Sequence, residues 1–265
     1  MKRGLYLAGV AMLCAWVLVP LYLIAASAVG GQPLINAWPK PFWPPGASFA
    51  PLLAFLAIDG VWRSLWISVQ VALMSVVFSI ALGAPAGYAL ARFSFRGATL
   101  FRLMVLMTRA FPVAILALPL TISFIHLGIY DTPFGVALIH TVLALPFAVL
   151  VSASLFQAIP RELEEAAWVF GCSRWQAARR VVLPMAAPGI AAVAIFAFVM
   201  SWNEVFAASV LTVRNRTLTA YLLAVLSESP LHLQFIGAFL LIVPSVLFIF
   251  LVRRHLFSMW GIASK

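Results

Sequence analysis

Charge is what this 265-residue chain has least of. Only 9% of it is Asp, Glu, Lys or Arg, and 65% is hydrophobic. A soluble domain is nearer a quarter charged, so no soluble core accommodates this composition and the bilayer is the natural solvent. Lysine is scarcer still. Lys2, Lys40 and Lys265 are the whole set, and none follows a glycine. That excludes a Walker A loop, in which Gly-Lys-Ser/Thr carries the lysine to phosphate. His126, His140, His232 and His255 contain no pair at His-x-x-x-His spacing, so no zinc site of that kind follows. No Gly-x-Ser-x-Gly elbow occurs either, which removes the serine-hydrolase reading. Cys14 and Cys172 fall in a predicted span and a predicted loop, so neither a disulfide nor a metal framework is expected. The expectation is a protein that is not an enzyme and holds no metal or cofactor of its own.

The net charge of +10 raises a nucleic-acid reading. It fails, because the arginines sit in short clusters between long apolar runs, the pattern of topology signals. A spanning helix needs about 20 apolar residues, and six segments qualify: 5–29, 64–91, 103–127, 133–157, 185–211 and 233–252. The fold expected is an all-α integral membrane protein forming one transmembrane domain over 1–265. The uncharged stretch from Gly4 to Pro39 is too long for a signal-peptide core, so it reads as a retained first span. Prolines within spans (Pro20, Pro85, Pro112, Pro119, Pro146, Pro188, Pro244) are tolerated as kinks, since neighbours satisfy the freed backbone groups.

With the N-terminus inside, one side of the membrane receives Lys2, Arg3, Arg92, Arg96, Arg102, Arg161, Arg174, Arg179, Arg180, Arg253, Arg254 and Lys265. The other side receives Lys40, Arg63, Arg214 and Arg216, and Arg109 lies within a span. Twelve against four places both termini in the cytoplasm. The outer loop 30–63 carries Trp38-Pro39-Lys40-Pro41-Phe42-Trp43-Pro44-Pro45, too proline-rich for a helix or a central strand. Its tryptophans suit headgroup anchoring, as a lid over the outer helix ends or as a docking surface for an extracytoplasmic protein.

The longest cytoplasmic loop, 158–184, has consistent local signals. Pro160 sits where a helix can begin. Glu162, Glu164 and Glu165 occupy the first turns, where the helix dipole favours negative charge. Ala166 and Ala167 are strong helix formers, and Gly171 can take positive φ and end the helix. Ser173 with Gln176 three residues on forms a capping box, so a second short helix starts near Arg174, and Pro184 marks the entry to the next span. Two short helices joined by a glycine corner exceed what topology requires. The aromatic and apolar Trp168, Val169 and Phe170 on that knob call for a partner cleft.

Glu165-Ala166-Ala167, Gly171, then Val181-x-Leu183-Pro184 resembles the EAA loop of ABC importer permeases, with Val181 in place of the family's usual isoleucine. Tyr88-Ala89-Leu90-Ala91-Arg92-Phe93, Phe95-Arg96-Gly97, Leu127-Gly128-Ile129-Tyr130-Asp131-Thr132, Ile159-Pro160-Arg161-Glu162-Leu163-Glu164-Glu165 and Ser201-Trp202-Asn203-Glu204 are similar to its carbohydrate-uptake, maltose-type branch. The resemblance covers roughly residues 60–260. Arg63 stands where relatives commonly carry asparagine, and the tail Phe257–Lys265 departs from the branch's glycine-rich ending.

The resemblance implies a bacterial inner-membrane permease subunit that moves a carbohydrate inward. Its implied partners are a homologous second permease, two cytoplasmic ATPases that bind the ATP, an extracytoplasmic solute-binding protein and membrane lipid, with no nucleic acid. It implies an ATPase-coupling site of Glu164, Glu165, Ala166, Ala167, Phe170, Gly171, Arg174, Leu183 and Pro184, with Glu165 as the anchoring acid. Polar groups within spans usually face a cavity or the bundle. Asn203 and Glu204 are therefore candidates for the solute path, or caps at a helix end. Gln70, Ser75 and Ser79 recur at helical spacing in span two, where they suit solute hydroxyls or, more simply, interhelical packing. Trp202, His140, Thr141 and Gln157 are weaker candidates for the path. Import of a polyol or glycerol phosphate is the nearest alternative. A channel or secondary transporter working alone is a distant one, since it has no use for the EAA loop.

Overall fold

The structure is a computed structural model describing residues 2–44, 46–226 and 229–257. The tail from Ser258 to Lys265 lies outside the described residues, as do the side chains of Lys2, Arg3, Arg254, His255, Leu256 and Phe257. The described residues form helices and no strand. They fall into two compact units. One comprises the chain up to Ser64 with Tyr221–Pro244, and the other Leu65–Ala220 with the chain from Ser245 onward.

In the first unit, α1 (Lys2–Asn36) loses helical geometry at Gly31, where φ is 60° and ψ −160°. The apolar side chains on its N-terminal half are exposed, as a lipid-facing or partner-facing helix permits. The following loop folds back on it. Lys40 Nζ donates to the Ile35 carbonyl at 2.8 Å, Tyr22 stacks on Phe42 and donates its hydroxyl to the Phe42 carbonyl, and Ser48 N–H reaches the Val29 carbonyl at 3.1 Å. Trp38, Phe42 and Trp43 are exposed, as interfacial residues would be. The stretch expected to be wholly loop also contains a short helix, α2 (Ala50–Leu56), with Pro51 in its first turn.

Four predicted spans fall on single helices: 5–29 lies in α1, 64–91 is α3 (Val61–Arg92), 133–157 is α6 (Pro133–Ala158) and 233–252 lies in α12 (Leu231–Phe257). The span predicted at 103–127 is not straight. It divides into α4 (Ala98–Met107), a 3₁₀ turn over Thr108–Ala110 and α5 (Val113–His126), with a 91° bend at the break. Phe111 and Pro112 are extended there, with ψ of 116° and 125°. Pro112 has no N–H to continue the helix, and it drives the preceding residue out of helical geometry. Arg109 therefore sits exposed in the turn at the corner, not inside a straight span. Among the described residues five helices are long and apolar enough to cross a membrane, six if the bent pair counts as one span.

The span predicted at 185–211 is displaced. After α7 (Glu162–Val169), helix α8 (Arg174–Ala177) runs through a π turn over Ala178–Val182 directly into α9 (Leu183–Asn203). The second loop helix is thus the first turns of the fifth span. Pro184 explains the π turn: it offers no N–H to the Arg180 carbonyl, and the widened turn lets Leu183 N–H reach back to Ala178 instead. At the other end α9 stops at Asn203, Glu204 is extended (ψ 126°), and the rest of the apolar run becomes α10 (Phe206–Leu211). Ala207, Ala208 and Leu211 of α10 bury against Phe124 and Val136. Helix α11 (Leu218–Leu226) follows.

Helices α3 and α6 approach closely at Gly83 and Gly87. A Cβ on Gly83 would lie 2.6 Å from the Ala148 Cβ, and one on Gly87 only 2.5 Å from the Ser152 Cβ and 2.7 Å from the Ala153 N. This is a Gly-x-x-x-Gly seam, which lets backbones approach where burial of apolar surface gives no net drive in lipid. Gly87→Val should lower the thermal unfolding midpoint of the detergent-solubilised protein by the equivalent of about 1–3 kcal/mol, as overpacking does. Gly9→Ala should leave it unchanged, since nothing lies within 4 Å of the added Cβ. Equal midpoints for the two variants would contradict the seam.

Candidate functional site

The C-terminal ends of α3 and α6, the start of α9 and helix α7 lie at the same end of the bundle. The charged side chains there make a specific clamp. Glu164 of α7 is buried, its side chain 4% exposed, and it pairs with Arg92 at the end of α3, itself 7% exposed. Tyr88, one turn back on α3, donates its hydroxyl to the other Glu164 oxygen at 2.7 Å. Arg92 also donates to the Ile159 carbonyl at 3.1 Å. Arg161 donates to the Ala91 and Arg92 carbonyls at 3.0 and 3.1 Å, where cations suit a helix C-terminus. A buried carboxylate is stable only when paired and hydrogen-bonded, and Glu164 is both.

The corner after α7 is set by backbone geometry. Gly171 has φ of +86°. Its N–H bonds to the Trp168 carbonyl at 2.9 Å, and the Cys172 N–H bonds to the Ala167 carbonyl at 3.0 Å. That pair of bonds is a Schellman motif. The capping box follows: Ser173 Oγ accepts from the Gln176 N–H at 3.2 Å, and Gln176 Oε1 accepts from the Ser173 N–H at 2.9 Å. Arg174 lies over the Trp168 ring, 5.8 Å from its centroid, linking the two sides of the corner. Val169 and Phe170, 85% and 87% exposed, stand out from it, as does Trp175.

The sequence-predicted residues separate here. Glu164, not Glu165, is the acid that anchors the loop to the spans. Glu165 is exposed, as are Ala166, Phe170, Gly171, Arg174, Leu183 and Pro184, and Ala167 is half-buried. Tyr88, Arg92 and Arg161 were absent from the sequence-derived site although they hold it together. The signal available was Tyr88 and Arg92 at i, i+4 on one helix face, both aimed at a carboxylate.

At the opposite end of the bundle is a buried polar chain. Ser75 Oγ donates to the Ala137 carbonyl at 3.3 Å, and Ser201 Oγ lies 3.4 Å from Ser75 Oγ. His140 Nδ1 is 2.8 Å from Ser201 Oγ, and its Nε2 is 3.1 Å from Glu204 Oε2. The Glu204 carboxylate also accepts from the Ala207 and Ala208 N–H groups at 2.9 and 3.1 Å, capping α10 where an acid suits the helix dipole. Asn203 is exposed, its Nδ2 donating to the Val199 carbonyl at 2.8 Å. Asn203 and Glu204 border a hollow of about 330 Å³ with Phe196, Val199 and Met200.

Two candidates for the solute path are placed elsewhere. Trp202 is 2% exposed and stacks on Phe198, because its position on α9 faces the core. Ser75 is fully buried inside the polar chain. Gln70 is half-buried on α3. Asp131, part of a quoted phrase but not of the predicted site, ties two loops together. Its carboxylate accepts from the Val213, Arg214 and Asn215 N–H groups at 2.9 to 3.1 Å.

Long apolar helices with a clamped, capped corner at one end define a polytopic all-helical membrane protein. The family described as binding-protein-dependent transport system inner membrane component matches residues 79–259, and the chain belongs to that family. It is 33% identical over 196 residues to the trehalose transport system permease protein SugB of Mycobacterium tuberculosis, covering 71% of each chain. It is 31% identical over 187 residues to the sulfoquinovosyl glycerol transport system permease protein SmoH of Agrobacterium fabrum, covering 71% of this chain and 66% of that one. Its fold matches a chain of a bacterial ABC transporter involved in importing the acidic polysaccharide alginate, with a TM-score of 0.74 at 24% identity over 96% of this chain and 94% of that one.

Removing one member of a buried ion pair destabilises by about 3–5 kcal/mol. Glu164→Ala should therefore lower the unfolding midpoint severely. Glu165→Ala, one residue on but exposed, should stay within about 0.5 kcal/mol of the parent. Thermal unfolding of both in one detergent decides it, and a larger loss for Glu165→Ala would place the anchor wrongly.

Proposed function

We propose that this chain is one permease subunit of an ATP-driven importer that brings a carbohydrate into the cytoplasm. The observation that carries this reading is the corner at Gly171. It is held to the spans by Glu164, Arg92 and Tyr88, while the side chains of Val169 and Phe170 are exposed among the described residues. An exposed apolar knob on a rigid mount is what a partner cleft requires.

In this reading both termini and the corner are cytoplasmic, as the Lys and Arg distribution favours. Glu165, Ala166, Phe170, Gly171 and Arg174 meet one of two ATPase subunits, and Leu183 and Pro184 carry the displacement into α9. ATP is bound by those partners, since this chain has no Gly-Lys pair. A second, homologous permease completes the pathway, and an extracytoplasmic binding protein delivers the solute. Asn203 and Glu204, at the end of α9 remote from the corner, border the pathway with Gln70. Ser75, Ser201 and His140 hold Glu204 in place from behind. Sugar import is supported by relatives whose names specify trehalose and sulfoquinovosyl glycerol. Uptake of a panel of labelled oligosaccharides, polyols and glycerol phosphate separates the solute classes.

Gly171 tests the coupling directly. A β-branched residue at φ of +86° is strained by roughly 1–2 kcal/mol, although a Cβ there meets nothing within 4 Å. Gly171→Val should abolish ATP-driven uptake while membrane insertion stays normal. Gly171→Asn, which tolerates left-handed backbone, should retain much of it. Normal uptake by the valine variant would remove the corner from the mechanism.

A further inference from the structure

Beneath the corner lies a cavity of about 840 Å³, bounded by α3, the end of α6, α7 and the continuous helix α8–α9. Its volume is that of a ligand site, typically about 300–1,000 Å³. Glu165, Arg174 and Leu183, assigned above to the coupling path, line it, but its apolar interior has no part in those contacts. Its walls change character between the spans and the loop. Ile80, Ala84, Pro85 and Phe156 form the deep part, and Trp168, Trp175, Arg174 and Arg179 form the mouth. Along α3 it runs from Ile80 to Arg92, about 18 Å at 1.5 Å per residue. Half a bilayer core is about 15 Å, so the cavity is long enough to take a headgroup and much of an acyl chain. A soluble anion has no use for so long an apolar floor.

The charges at the mouth are not equivalent. Arg92 is taken by Glu164 and Arg161 by the α3 carbonyls. Among the described residues, Arg174 and Arg179 are paired with no carboxylate. One carboxylate, Glu165, shares the rim, which leaves a surplus of positive charge. The two tryptophans carry the amphipathic rings found at headgroup depth. Basic pockets between spanning helices on the cytoplasmic side suit anionic headgroups.

We infer that this cavity binds one anionic phospholipid, its acyl chain on Ala84 and Phe156 and its phosphate at Arg174 and Arg179. The side of the membrane, and any effect on ATPase coupling, rest on the reading above. The binding itself does not. A lipid here would brace α7 against α3 from below and make the corner sensitive to bilayer composition.

The test is native mass spectrometry of the purified, delipidated transporter complex, titrated with phosphatidylglycerol or phosphatidylcholine of matched chains. The parent should retain one phosphatidylglycerol in preference, undisplaced by inorganic phosphate. The double variant R174Q/R179Q should lose that preference by about 30-fold, the effect expected of two arginines near an anionic surface. Ala81→Phe, which fills the cavity from an exposed α3 position, should lose the lipid with both arginines present. Equal retention of the two lipids, or an unchanged preference in the double variant, overturns the site. So does displacement by phosphate, or a crosslink from Ala81→Cys to a partner subunit in place of lipid. Loss of uptake in Gly171→Val is independent of all of these, so either reading can fail alone.

Discussion

A single buried carboxylate fixes how the charged end of this bundle works. Glu164 is almost out of contact with solvent, where an unpaired charge is severely penalised. It is tolerated only because Arg92 and Tyr88 meet it from α3. That requirement fixes the rotation of α7 about its axis. The rotation aims Val169 and Phe170 outward and sets the direction in which the Schellman turn at Gly171 leads the chain into α8. Because α8 runs without a break into α9, a push on the corner reaches a membrane-spanning helix through one continuous rod. The clamp ties the same push to α3. The loop is therefore part of two spans and not a tether between them.

The opposite end follows the same rule with different chemistry. Glu204 sits at the break between α9 and α10 and is satisfied by the α10 backbone and by His140. His140 in turn leans on Ser201 and Ser75. A helix interruption at membrane depth is tolerated only where its freed backbone groups find partners, and this polar chain provides them. Glu204 thus holds the far end of α9 beside an open hollow, while Glu164 ties α7, which leads through the corner into α8 and α9, to α3. A helix braced in this way can carry displacement from one end to the other.

What was legible in the sequence was local. The Ser173–Gln176 capping box and the Gly171 corner depend on residues within a turn of one another, and both lie where the spacing put them. Long apolar runs gave α3, α6 and α12 for the same reason. Glu164 and Glu165 could not be told apart. Adjacent helical residues differ by about 100° in direction, and which one faces α3 is settled by packing that no local pattern records. The Gly83-x-x-x-Gly87 seam was present in the letters but requires a partner helix to have meaning. In the sequence Pro112 is one kink among several. Its conversion into a 91° break reflects the short, poorly buried helices on either side, which do not enforce a straight path. Span five was misplaced because hydrophobicity continues through Glu204 into α10, and only the Glu204 backbone turn ends the helix.

Coupling through Glu164 requires α7 and α3 to move as one body when the ATPases close. Spin labels at Leu82→Cys and Val169→Cys, both exposed positions, report the distance between them once Cys14 and Cys172 are replaced by serine. Pulsed dipolar spectroscopy on the assembled transporter, without nucleotide and with ATP trapped, measures it directly. Rigid coupling through Glu164 predicts the same distance distribution in both states while uptake remains ATP-driven. A distribution that shifts or splits with ATP would show the corner swinging free of α3, and the clamp would then not be what transmits the stroke.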